Sequence, residues 1–451
     1  MTGTVDRRQF LVGGASVAGT ALAGCIGGSN GGSNGTTSGG TSSDSINIGV
    51  LESRSGNFAI NAKPKWKAAK LAIEEINDNG GILGRQIRIF DPDPQSSDQR
   101  YTQLARRLIE KNHVDLLSGA FASSSREAIR PTVDKNEQLY FYPNEYEGGL
   151  CDSYTFAFGS VPIQQYSTLI PYMIDQFGPK VYTIAADYNF GHISAEWIKR
   201  YVKAAGGSVV ETEFAPLSVS DYGSSVNKIQ KADPDFIATV MVGSNQSNFF
   251  KQKATAGLDL PMASAVNLAQ SYEHVRFDPP TMAGMHSAPY YMPEVPTDRN
   301  QTFVEKFQKR WPDTPYIPEM AECAYLSPHI YKQAVEAAGA TDQAAVIAEL
   351  EKGLDVNAPE GNIHLKGTTH HMSHVMRLAR VEDDHSITFL GKQTIEPSFL
   401  EEMGCDLTSE SSTKQYSPPK DYTPPSNYDS SNYSASGSSG EYPKNVDRYQ
   451  A

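Results

Sequence analysis

Short apolar strand runs alternate with helical patterns along this chain, and the alternation runs through twice. Ser45-Ile46-Asn47-Ile48-Gly49-Val50-Leu51 is β-branched and alternating, so it reads as a strand. Residues 65–77 place Trp66, Ala69, Ile73 and Ile76 at helical spacing, and Gly80-Gly81 ends that helix. Strand patterns at 87–90 and 114–117 and helical patterns at 101–109 and 126–135 follow. After residue 163 the series restarts, with strands at 181–186, 208–214 and 236–242 and helices at 192–205, 222–231 and 247–256. Such alternation with short loops means parallel sheets covered by helices. Two series of similar size mean two lobes. A chain of 451 residues also exceeds the roughly 250–300 that one core serves. Later helices are expected near 301–310, 319–338 and 342–352, and strands over 361–390.

The ends of the chain differ from this body. Arg7-Arg8-Gln9-Phe10-Leu11 precedes a Gly/Ala/Val/Leu run that ends Leu22-Ala23-Gly24-Cys25. Paired arginines before a short apolar run form a twin-arginine export pattern. The run is too short to span roughly 30 Å of hydrocarbon, so it reads as a signal segment. The last four residues resemble a lipobox, which implies a lipidated Cys25 as the anchor to the outer face of the cytoplasmic membrane. Residues 26–45 are mostly Gly, Ser, Thr and Asn, a tether with a typical reach of roughly 25 Å. Residues 409–451 are rich in Ser, Pro and Tyr without a period, and disorder is expected there.

The formal net charge is −13, of which −12 falls on residues 46–408. That argues against nucleic acid as a partner, since binding it needs a basic patch. An acidic body fits solubility in high salt. With Cys25 lipidated, Cys151, Cys323 and Cys405 remain, enough for one disulfide. Cys323 lies in a helical pattern and suits a buried apolar role, and Cys151 with Cys405 is the pair to test.

Open α/β sheets bind ligands beyond the carboxyl ends of their strands. Four loops follow from that. Gly119-Ala120-Phe121-Ala122-Ser123-Ser124-Ser125-Arg126 leaves a strand and enters a helix, where free N–H groups suit a carbonyl or carboxylate oxygen. The alternative is that Ser123 or Ser124 only caps the helix. Tyr140 to Gly148 crowds aromatics and carboxylates into a turn. Asp187-Tyr188-Asn189-Phe190-Gly191 and Gly243-Ser244-Asn245 are the second-lobe counterparts. Hydroxyl and amide groups of this kind suit a small neutral polar ligand.

These residues carry a resemblance. Ile48-Gly49-Val50-Leu51 with Ser55-Gly56, Ile73 through Arg85, the serine loop ending Arg126, and Tyr142-Pro143-x-x-Tyr146-Glu147-Gly148 resemble extracellular solute-binding proteins of the Leu/Ile/Val-binding type. Pro162-x-Gln164, Glu322-x-x-Tyr325 and Ala358-Pro359-Glu360-Gly361 before His370-His371 match as well. The Tyr-Pro-x-x-Tyr-Glu-Gly element is similar to the urea and short-chain-amide branch. The resemblance spans roughly residues 45–407.

It implies a type I periplasmic-binding fold: α/β, two doubly wound parallel-sheet lobes joined by three hinge crossovers. The lobes would be 46–162 with 290–357, and 163–289 with 358–408. It implies closure on a small neutral amide or urea and delivery to the membrane subunits of an ABC importer. Ala122, Ser123, Tyr142 and Pro143 would bind from the first lobe, and Tyr188, Phe190, Gly243 and Ser244 from the second. Ala120 stands where Cys is usual, and Phe121 and Phe190 stand where some amide binders have Tyr.

Competing classes are a branched-chain amino-acid binder, with Glu147 for the ligand ammonium, an amide-sensing regulator and an amidohydrolase. An enzyme would need an activated nucleophile or metal, and residues 46–408 have no Gly-x-Ser-x-Gly elbow, His-Glu-x-x-His, phosphate-binding Gly-Lys-Ser/Thr loop or Cys-x-x-Cys. His370-His371-x-x-His374 is the one metal-like cluster, and on a strand His371 and His374 point apart. No catalytic residue, metal or cofactor is expected.

Overall fold

The computed structural model describes residues 45–242, 246–266, 268–434 and 437–440. Two eight-stranded sheets organise it. The first sheet runs, edge to edge, Leu354–Ala358, Gly361–Lys366, His371–Met372, Thr155–Ala157, Tyr140–Tyr142, Leu116–Gly119, Ser45–Leu51 and Gln86–Phe90. From His371–Met372 onward the pairing is parallel. The strand Leu116–Gly119 is wholly buried, as expected of a central strand covered on both faces. The helix Ala59–Asp78 lays Ala62, Ala68, Ala69, Ala72, Ile73 and Ile76 against the core and packs on Glu319–Ala338. Its small alanines let the two helices approach closely. Gly339, at φ 68°, ends the second of them.

The second sheet begins with five parallel strands, Ser208–Ala215, Lys180–Ala186, Phe236–Val240, Met262–Ser264 and Met285–Ser287. Three antiparallel strands complete it: His374–Val381, Ile387–Ile395 and Ser438–Gly440. The first series of strands and helices and the second thus build separate sheets, as the repeated alternation requires.

The chain passes between the sheets three times: after Thr155–Ala157, after Met285–Ser287, and at Ser373. Side chains tie these crossings together. Gln164 donates to the carbonyls of Met372 and Ile395 at 2.9 and 3.0 Å, linking the first crossing to the third. Arg377 donates to the carbonyls of Tyr290 and Glu360 at 2.8 and 2.6 Å, linking the second to the third. The Glu360 carboxylate accepts from His374 Nδ1 and the Val375 amide, both at 2.8 Å.

Two expected boundaries change. Residues 358–372 belong to the first sheet, because Leu354–Ala358 and Gly361–Lys366 form one antiparallel hairpin that cannot be divided between lobes. The return to the second sheet is therefore at Ser373. Residues 409–434 and 437–440 are not without order: Thr413–Gln415 pairs with Leu150–Asp152, and Ser438–Gly440 joins the second sheet. Local composition missed this because the partners are distant in sequence. Cys151 and Cys405 are joined in a disulfide with Cα atoms 6.0 Å apart, and Cys323 is a buried free thiol. Among the described residues no helix is long and apolar enough to cross a membrane. Arg7, Arg8 and Cys25 lie outside the described residues.

Candidate interlobe ligand site

The carboxyl ends of the first-sheet strands open into the loops singled out above. Strand Leu116–Gly119 turns at Gly119, whose φ is 129°. A Cβ there would stand 2.4 Å from the Leu51 carbonyl oxygen, so only glycine lets the two strand ends approach this closely. The helix Ser123–Lys135 follows. Ala122 occupies its cap position with extended backbone and no side-chain cap bond. Ser123 is therefore not a cap: its buried hydroxyl donates to the Glu147 carboxylate.

Glu147 is the centre of a buried network. Arg126 Nη2 reaches Glu147 Oε1 at 2.8 Å, with both side chains fully buried. The guanidinium carbon of Arg126 lies 5.1 Å from the Tyr142 ring centre and 4.5 Å from that of Tyr146. The Tyr142 hydroxyl donates to the Phe121 carbonyl at 2.8 Å. Tyr146 holds His371 Nε2 at 2.5 Å and receives the Leu150 amide at 3.1 Å. The Tyr142-Pro143-x-x-Tyr146-Glu147 element thus encloses Arg126 and presents Ser123. Pro143 is buried within it.

A second buried pair lies beside it. Lys65 Nζ sits 3.0 Å from Glu52 Oε1 and also donates to the Ala120 carbonyl and Asn144 Oδ1, at 2.8 and 3.1 Å. Burial pushes the Glu52 carboxyl up to about 7, with Lys65 opposing it. The loops read above for their hydroxyl and amide groups thus rest on a floor of two buried ion pairs, a correction to that reading. Buried pairs of this kind need close to full hydrogen-bonding to offset desolvation.

The second lobe meets this floor through a loop after Met262–Ser264. Asn61 Nδ2, on the first-lobe helix Ala59–Asp78, donates to the Gln270 carbonyl at 2.9 Å and to Ser271 Oγ at 3.1 Å. Gln270 Nε2 donates back to the Glu145 carboxylate. Glu145 Oε2, Gln270 Oε1 and Asn61 Oδ1 are buried without a hydrogen-bond partner. Burial pushes the Glu145 carboxyl above its usual range, while the Gln270 bond and the Lys65 charge oppose the shift.

Tyr188 precedes the helix Asn189–Ala204, and Phe190 is in its first turn, with ring centres 6.0 Å apart. Burial, followed by the nearby Tyr142, Glu147 and Glu145, raises the Tyr188 hydroxyl pKa. The second-lobe tyrosine thus shares an electrostatic environment with the first-lobe network. Trp197 of the same helix donates from Nε1 to the Glu147 carbonyl at 3.1 Å. Gly243 and Ser244 lie outside the described residues.

The structure brings Ala122, Ser123, Tyr142, Pro143, Tyr188 and Phe190 into one region, and it adds Asn61, Lys65 and Gln270, which no motif marks. Lys65 had a signal: it stands among the Ala and Leu positions of a buried helix face. Gln270 lies in an irregular loop with no pattern. The histidine cluster divides among separate partners. His370 contacts Glu351 and the Asp152 carbonyl, His371 contacts Tyr146, and His374 contacts Glu360. Among the described residues no group of three or more His, Cys, Asp or Glu side chains is placed to hold a metal.

The sequence model of the periplasmic binding protein family matches residues 45–386. The chain belongs to that family. It is a binding protein and not an enzyme. Leu/Ile/Val-binding protein homolog 6 of Brucella abortus (strain 2308) is 22% identical over 359 residues, covering 78% of this chain and 91% of the relative. Among solved structures, a solute-binding protein of an ABC transporter from Rhodopseudomonas palustris BisB5, in complex with 3,4-dihydroxybenzoic acid, superimposes with a TM-score of 0.70 at 21% identity. That match covers 78% of this periplasmic binding protein and 98% of the other chain. A branched-chain amino acid transporter substrate-binding protein from Streptococcus pneumoniae, in complex with isoleucine, gives 0.67 at 19% identity, covering 78% and 99%.

Proposed function

We propose that this protein is the extracytoplasmic solute-binding component of an ABC importer, and that it captures a short-chain amide or urea between its lobes. One observation carries the ligand class. Among the buried atoms left without partners, Glu145 Oε2, Gln270 Oε1 and Asn61 Oδ1 cluster at the contact between Gln270 and the first lobe, and all three are acceptors. An unpaired buried acceptor costs about 1–3 kcal/mol, so a solute with several N–H donors is selected. An amide or urea supplies them without charge.

The relatives suggest other ligands. A benzoate would need a cation; Lys65 and Arg126 are paired with Glu52 and Glu147, which leaves only Arg126 Nη1 of that guanidinium without a partner. A branched-chain amino acid is the second reading, favoured by the buried Glu145 as a seat for an ammonium group. Glu147 does not serve that purpose, because Arg126, Ser123 and Gln415 occupy its carboxylate.

Binding would proceed by hinge closure about the three crossings. A solute that touches both lobes binds the closed form better and shifts the population towards it. Ala122, Ser123, Tyr142 and Pro143 would form the first-lobe wall, and Tyr188, Phe190, Gly243 and Ser244 the second. The twin arginines and Leu22-Ala23-Gly24-Cys25 support export and a lipid anchor at Cys25. Calorimetric titration with urea, formamide, acetamide, isoleucine and benzoate tests the reading. With about four heavy atoms, urea or acetamide has a ceiling near −6 kcal/mol, or tens of micromolar. Saturation by isoleucine with no amide response would replace the amide reading with the amino-acid one.

A further inference from the structure

The segment after the disulfide lies first on one lobe and then on the other. Thr413–Gln415 pairs antiparallel with Leu150–Asp152. Ser412 and Ser153 exchange two bonds of 2.9 Å, and Arg130 Nη2 donates to the Thr413 carbonyl at 2.7 Å. The Tyr416 amide donates to the Gly149 carbonyl at 2.6 Å. Gly149 has φ 87°, and a Cβ there would stand 2.0 Å from the Tyr416 carbonyl oxygen, so the seat of this segment requires glycine.

Two residues later the partners belong to the second lobe. Arg200 donates from Nη2 to the Pro418 carbonyl at 3.3 Å, and from Nη1 to the carbonyls of Lys420 and Tyr422 at 3.1 and 3.4 Å. The Tyr422 ring meets Trp197 and Phe399 edge-on, at 5.7 and 5.3 Å. Asn427 then bonds Ser167 through its amide and side chain, and Tyr428 donates to Asp175 at 2.8 Å.

Both anchors lie on elements that carry the ligand site. Leu150–Asp152 continues the Tyr142–Glu147 loop, and Arg200 is on the helix whose first turn holds Phe190. Gln415 reaches the site network itself, donating to Glu147 Oε1 at 3.2 Å.

We infer that residues 412–422 are a strap that sets how far the lobes part, and that Arg200 and Gln415 are positioning residues for ligand capture. Between the Tyr416 and Pro418 anchors stands only Ser417. A chain extends at most about 3.5 Å per residue, so opening by more than a few ångströms must break an anchor. The Arg200 contacts are the longer ones and release first. A preorganised pair of lobes raises apparent affinity by raising the fraction of binding-competent protein.

The inference rests on the hinged two-lobe reading and not on the identity of the solute. It is tested in the full ligand-free chain by the distance distribution between spin labels at the exposed positions Lys111→Cys and Lys231→Cys, with Cys25→Ser in every sample. Inserting about six Gly/Ser residues between Ser417 and Pro418 adds roughly 20 Å of reach and leaves every anchor in place. The insertion should move the distribution to longer distances, and Arg200→Ala should move it the same way. A distribution that coincides with the parent's in the insertion variant overturns the strap. Acetamide separates the two claims: opening that acetamide fails to reverse supports the strap and contradicts the amide reading, whereas reclosure supports both.

Discussion

On the first-lobe side of the cleft, the buried charges are paired with one another, Lys65 with Glu52 and Arg126 with Glu147, and the Tyr142 hydroxyl is committed to a backbone carbonyl. On the second-lobe side, the described residues that bond the Asn61, Glu145 and Glu147 region are uncharged: Gln270, Ser271 and Trp197. The first side is a mould that holds its shape without a ligand. The second is a cover whose polar contacts can be exchanged for those of a solute. Stability should therefore depend chiefly on the first lobe, and selectivity on the contacts between lobes.

Breaking the mould should have the largest effect. Arg126→Ala leaves Glu147 as an unpaired buried charge and should cost about 3–5 kcal/mol in chemical denaturation. The pH dependence of stability comes next. The Glu52 carboxyl is raised from an ordinary 4.5 to about 7, so the folded chain holds that proton more tightly than the unfolded chain. Its contribution is complete below pH 4.5 and is lost as pH rises through 7, an amount of about 3 kcal/mol. Glu52→Gln should flatten that part of the stability–pH curve. On the cover, Gln270→Ala should weaken acetamide binding by about 1–3 kcal/mol, or roughly 5- to 150-fold, in calorimetry while changing stability less. Tyr142→Phe should cost only about 1 kcal/mol of stability, the net worth of one hydrogen bond, and leave acetamide affinity within about threefold. A large loss of affinity in Tyr142→Phe would mean that its hydroxyl turns to the ligand.

Much of this was legible in the sequence because it is local. Strand and helix periods predict both sheets, and the loops that follow strands point to Ser123, Tyr142 and Tyr188, which the structure places around one buried network. Motifs could be located without their tasks being visible. Glu147 reads as a ligand group, yet it is the partner of Arg126. Gln164 and Glu360 match the family pattern, and their contacts show them fastening the crossings. What escaped sequence reasoning was long-range. The hairpin at 354–366 was divided between lobes because its pairing depends on tertiary register. Residues 409–434 lack any period because their order is imposed by Leu150–Asp152, Arg200 and Ser167. Gln270 meets Glu145 across 125 positions, which no local pattern encodes.

The most direct test of capture at the lobe junction is the acetamide affinity of Glu145→Gln beside that of the parent chain. The substituted amide would set an NH2 group against either Gln270 or the solute, where the carboxyl accepts. Acetamide should bind the parent with a Kd no tighter than tens of micromolar, and the variant at least about tenfold more weakly, while benzoate binds neither. Equal acetamide affinity in the two proteins, or saturable benzoate binding to the parent, would contradict the account.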